Sequence, residues 1–130
     1  MDQIRFALSL LALVLTACFA LSCGGSQFHA QPASITVSPA TVTAQQAQFT
    51  ATGHYQDPPR TITPLSVSWA ACQQNAATTE VTVAANGMAQ CNAGASGTYS
   101  INAFVAGNCN LSNACGTACT IYGTAQLTCP

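Results

Sequence analysis

Charge is what this chain most lacks. Two Lys or Arg and three Asp or Glu stand in 130 residues, for a formal net charge of −1. There is no lysine, and beyond residue 22 the charged side chains are Asp57, Arg60 and Glu80. Nucleic acid is held by clustered Lys and Arg on phosphates, so that class of partner is excluded, and so is a polybasic membrane patch. General acid–base catalysis needs positioned titratable groups, usually two with separated pKa values. Here His29 falls in a Gly/Ser/Gln-rich stretch, and His54 has outward strand parity near Asp57 and Arg60. Solvated strand-end residues are the plain reading, because no Gly-x-Ser-x-Gly or similar nucleophile context accompanies them. The sequence implies no enzyme, no metal and no cofactor. The exposed faces must be built from Thr, Ser, Gln and Asn. So little charge also leaves strand edges weakly protected against pairing, which permits self-association.

Long apolar runs are absent too, with one exception. Phe6 to Leu21 is apolar or small throughout, preceded by Arg5 and followed by Ser22-Cys23-Gly24-Gly25-Ser26. The run is shorter than the ~20 residues that span a bilayer and matches the core of an export signal. Residues 1–22 are therefore read as a lipoprotein-type export signal and 23–34 as a flexible tether. Two cysteines fit a lipidation box. Leu15-Thr16-Ala17-Cys18 has the better local pattern, whereas Ala20-Leu21-Ser22-Cys23 opens directly onto the Gly-Gly-Ser tether. Parity favours Cys23, since cleavage there leaves an even set of further cysteines. The expected location is the cell envelope, lipid-anchored and facing the periplasm or the surface.

Helical periodicity is missing beyond that signal, and the remaining chain alternates with period two. Ile35 and Val37, Phe49, Ala51 and Tyr55, then Leu65, Val67 and Trp69 are spaced to face one side of successive strands. Further runs cover 80–85, 98–106 and 120–129, with turn signals at Gln56 to Arg60 and at Asn86-Gly87, and a short strand at Met88–Cys91. The alternation predicts an all-β, antiparallel sandwich over residues 35–130. The segments ITVSPATVT, QFTATGHYQD and VSW, in that order, resemble the bacterial immunoglobulin-like domain, group 2, of intimin- and invasin-type surface proteins. The resemblance is specific over 35–69, weaker over 79–105 and poor through 107–120. It implies about seven strands, with Trp69 in the core on strand C and Tyr99 as a corner-locking tyrosine at the start of strand F. It also implies a non-enzymatic envelope role, structural or adhesive. The connection at 44–47 is shorter than the family's, and the F–G connection is much longer.

That long connection carries cysteines. Cys72, Cys91, Cys109, Cys115, Cys119 and Cys129 form an even set, which in an exported chain reads as disulfides. Strand direction sets Cys72, Cys91 and Cys129 near one pole and the other three at the opposite one. Cys72–Cys91 and Cys109–Cys119 are the expected pairs, with Cys115 and Cys129 left over unless the loop folds back along the sandwich. Zinc on Cys109, Cys115 and Cys119 is the weaker alternative, for want of a fourth ligand. For binding, Phe104 and Tyr122 have outward parity and face each other across strands F and G. They form either an exposed aromatic patch or ordinary packing under a loop. With Asn110 and Asn113 of the loop they make the candidate surface for the second functional reading, a carbohydrate-binding module. The partner is thus an envelope protein or a glycan.

Overall fold

A computed structural model describes residues 31–105, 109, 113–116 and 119–130. The segment expected to be an export signal, most of the expected tether, Cys18, Cys23, His29 and Asn110 lie outside them. The described chain is all β, with no helix. Its strands are β1 (Ser34–Ser38), β2 (Thr41–Thr43), β3 (Gln46–Gln48), β4 (Thr50–Gln56), β5 (Pro59–Ile62), β6 (Ser68–Gln73), β7 (Ala76–Ala77), β8 (Val81–Val83), β9 (Met88–Cys91), β10 (Gly97–Phe104) and β11 (Tyr122–Cys129). They form a five-stranded sheet, β2-β11-β10-β6-β7, and two three-stranded sheets, β1-β4-β5 and β3-β9-β8. Pairing is antiparallel except for β2, which runs parallel to β11. Because β3 leads into β4 across Phe49, the two smaller sheets share one run of chain.

The alternation decides what is buried. β1 turns Ile35 and Val37 inward, and β11 does the same with Gly123, Ala125, Leu127 and Cys129. Phe49, Ala51, Val81 and Ala89 meet Ala71, Tyr99, Ile101 and Ala103 in one core, with Leu65, Val67 and Trp69 packed against it. Several boundaries differ from those the alternation predicts. The turn expected over 56–60 is confined to Asp57 and Pro58, and Pro59–Ile62 adds a fully exposed edge strand. Leu65–Val67 precedes strand β6 and does not belong to it. The chain bends at Thr63 and Pro64, and the Leu65 N–H then donates to Ala51 O of β4 at 2.8 Å. Past Pro39, which has no N–H to continue β1, the chain crosses from one sheet to the other.

Among the described residues there are three disulfides: Cys72–Cys115, Cys91–Cys129 and Cys109–Cys119. The last is one of the two expected pairs; Cys72–Cys91 does not form. Position along the sandwich would allow that pair, but the faces of the strands forbid it. Cys91 points into the core, whereas Cys72 shares the outer parity of Ala70 on β6 and packs with Phe104, Ala114 and Cys115. The sheet itself therefore stands between them. Cys91 reaches Cys129 across the core, and the long connection does fold back, delivering Cys115 to Cys72. Cys109, Cys115 and Cys119 are thus all in bridges and offer no thiolate to a metal. Three bridges match an oxidising, exported setting, and among the described residues no helix is long and apolar enough to cross a membrane.

Tyr99 is 1% exposed, and its hydroxyl lies 2.5 Å from Glu80 Oε2 and 3.0 Å from Ser96 O. The bond to Ser96 ties the start of β10 to the loop before it. The bond to Glu80 raises the phenol's pKa above its ordinary 10.0, helped by burial and by the carboxylate's charge and opposed by the Ser96 contact. The native state thus holds this proton more tightly than the unfolded chain does. Its contribution is complete below about pH 10 and is lost as pH climbs through the raised value. Denaturant midpoints followed from neutral pH upward should fall above about pH 10 and fall less steeply in Tyr99→Phe. Parallel profiles would refute the assignment.

Candidate functional site

The outer face of the five-stranded sheet carries the most polar detail. β10 sends Ser100, Asn102 and Phe104 outward, and register sets them beside Gln126, Thr124 and Tyr122 of β11 and beside Cys72, Ala70 and Ser68 of β6. Hydroxyls dominate the rest of the face, with Thr98 Oγ1 and Thr128 Oγ1 3.0 Å apart. Onto this surface the returning segment 113–116 is clamped. The Cys72–Cys115 bridge holds one side, and Asn102 Nδ2 donates to Ala114 O at 2.8 Å. Ala70, Cys72, Phe104, Ala114 and Cys115, flanked by Cys109, make a second small apolar cluster beneath it.

Beside the clamp lies a groove of about 190 Å³. Asn102 lines it together with Ser100, Thr124, Gly116, Tyr122 and Asn75, and the Cys72–Cys115 bridge forms one wall. Asn75 is brought there by the two-residue hairpin between β6 and β7, whose Gln74 and Asn75 both have positive φ, 50° and 65°. Among the described residues, no charged side chain is in the lining. Asn102 is only 7% exposed, and its Oδ1 has no hydrogen-bond partner. Both amide hydrogens already face acceptors, Ala114 O and Cys72 Sγ at 3.4 Å, which fixes Oδ1 as the open position. A buried acceptor left unpaired costs about 1–3 kcal/mol.

A second, mostly apolar cavity of about 310 Å³ opens along Phe49, Leu65, Trp69, Pro64 and the Ala85-Asn86 turn. Trp69, expected in the core, is half-buried and forms a wall of this cavity while packing on the core. Phe104 and Tyr122 do face each other in register. However, Phe104 is 2% exposed beneath the returning segment and Tyr122 is 45% exposed. The two-ring exposed patch does not exist, because the clamped segment covers one of its rings. Asn113 is exposed, and its carbonyl accepts the Gly116 N–H at 3.0 Å. His54 meets Thr36 Oγ1 through Nε2 at 3.0 Å, and Arg60 stacks 4.6 Å over the Tyr55 ring.

Sequence reasoning missed Asn102, Ser100, Thr124 and Asn75. Asn102 left one usable trace: an amide inside Ile101-Asn102-Ala103-Phe104, in a strand whose type disfavours Asn, needs a partner or a purpose. No model of a known protein family matches the chain, and no curated protein matches its sequence.

Proposed function

We propose that the chain is a non-enzymatic cell-envelope lipoprotein, anchored through a lipid on Cys23. It carries one immunoglobulin-like sandwich of the bacterial group 2 type and serves a structural or adhesive, partner-binding role. The observation that carries the reading is the strand order. β11-β10-β6-β7 corresponds to G-F-C-C′, with β2 as an edge strand that has switched sheets. β1 beside β4, and β3-β9-β8, support a reading as A-B and B-E-D, with β5 an added edge strand on the far side of β4. The clamped F–G segment supports a recognition role, since a rigid loop on a scaffold face loses little freedom on binding. With Asp57, Arg60 and Glu80 as the charged residues of the domain, recognition rests on shape and neutral hydrogen bonds.

The test is the intact mass of the protein extracted from membranes and alkylated without reduction. The expected product begins at a diacylated Cys23 and carries no alkyl groups on the six later cysteines. A product beginning elsewhere, or alkylated at Cys115 or Cys129, would sink the anchored three-bridge form. For the role itself, deletion is expected to reduce adhesion or envelope integrity, and a silent deletion counts against it.

A further inference from the structure

We infer that the groove floored by Asn102 is a binding site for one ring of a neutral, hydroxyl-rich ligand, a pyranose sugar. The inference rests on the exported binding-module reading and adds to it the site and the ligand's chemistry. Four observations carry it. Asn102 Oδ1 is a buried acceptor without a partner, so what completes it must donate a hydrogen bond. Both amide hydrogens are already committed, to Ala114 O and the Cys72 sulfur, so the floor cannot turn over to present a donor instead. The described lining contains no charged side chain, which disfavours anions and cations alike and suits a ligand with hydroxyls and no net charge. Tyr122 stands at the rim with nearly half its surface in solvent, two residues from Thr124 on the same strand face, and Ser100 lines the groove two register pairs further along.

Size selects among hydroxyl compounds. A groove of about 190 Å³ suits a ligand the size of one sugar ring and is too small for a longer oligomer to be engulfed. A sugar ring has what this groove asks for: equatorial hydroxyls to reach a buried acceptor and neighbouring Ser and Thr, and a C–H face to lie against an aromatic. Oδ1 lies under the groove surface, so a hydroxyl reaches it by a small displacement of the lining side chains, of the kind exposed groups such as Tyr122 make on the ps–ns scale. The Cys72–Cys115 bridge and the tight Gln74-Asn75 hairpin hold the two walls in place before the ligand arrives.

The experiment is an amide-resolved NMR titration of the exported, fully oxidised protein with glucose, galactose and N-acetylglucosamine, each to about 50 mM, a ceiling suited to millimolar affinity. Glycerol is the control for generic hydroxyl binding. Expected is saturable movement of the signals of Asn75, Asn102, Gly116, Tyr122 and Thr124 with at least one sugar and not with glycerol. Tyr122→Ala, a surface change that leaves the core intact, should weaken that binding about tenfold, and Thr124→Val should weaken it measurably. Shifts that never saturate, that spread over the surface, or that survive Tyr122→Ala unchanged overturn the site. So does the absence of shifts together with a crystal structure in which a single water completes Asn102 Oδ1. Because export and bridging are tested separately by mass, failure of the sugar site leaves the anchored-module reading standing. A failure in the mass is separately visible.

Discussion

Replacing Cys91 and Cys129 together by alanine should lower stability by about 4 kcal/mol, a large share of the roughly 5–15 kcal/mol a domain has in total. The bridge closes a 38-residue separation, and both cysteines are nearly inaccessible, 6% and 3% exposed. In the chain-entropy account the gain grows with the logarithm of the loop, which sets the magnitude. The melting temperature should fall by roughly 15–30 °C for a domain of about a hundred residues. The Cys109–Cys119 pair is the internal comparison. It spans a separation of 10, so the same account gives about 2.7 kcal/mol. Denaturant unfolding of the two double variants, both without reductant, checks the ranking. If removing the short-loop bridge costs as much as removing the one across the core, loop entropy is not the reason the bridges stabilise.

The second large effect is expected at Gly87. The residue has φ of +85° in the turn between β8 and β9, and a Cβ there would overlap Phe49 O and lie 3.0 Å from the Trp69 ring. Neither neighbour can give way cheaply. The Phe49 N–H donates to Gly87 O at 2.9 Å, so the carbonyl that would be struck belongs to the segment that pins the turn. Gly87→Ala therefore combines a left-handed backbone penalty of about 1–2 kcal/mol with loss or distortion of that bond, ~1 kcal/mol, and overpacking against Trp69, ~1–3 kcal/mol. A total of roughly 3–6 kcal/mol is expected. Gly94 has the same φ of +85°, but a methyl group added there would meet nothing within 4 Å. Gly94→Ala should cost the backbone penalty alone, about 1–2 kcal/mol. Equal losses at the two glycines would show that the packing at Phe49 contributes nothing.

Much of the fold was readable from period two. Ile35, Val37, Phe49, Ala51, Ile101, Leu127 and their neighbours sit where alternation puts them, because a strand's faces follow from local geometry. Tyr99 was readable for a related reason: Ala95 to Tyr99 combines a loop with a strand start, and the bond to Ser96 is short-range. The candidate site was less legible. Tyr122 could be found by parity, and its partner Phe104 as well. Whether Phe104 is exposed depends on where segment 113–116 goes, and no local pattern states that.

Residue type and local spacing were enough for the all-β class, the inward and outward residues of each strand, and the even set of cysteines available for bridging. Each of these depends on a few consecutive residues at a time. Long-range packing chose which cysteines pair, sent β2 to the opposite sheet, and formed a polar groove beside Asn102. These outcomes depend on which surfaces meet across long separations. Cys72 and Cys91 differ in partner because they face opposite sides of a sheet. Asn102 is left with an open acceptor because a segment a dozen residues away returns to take its donor.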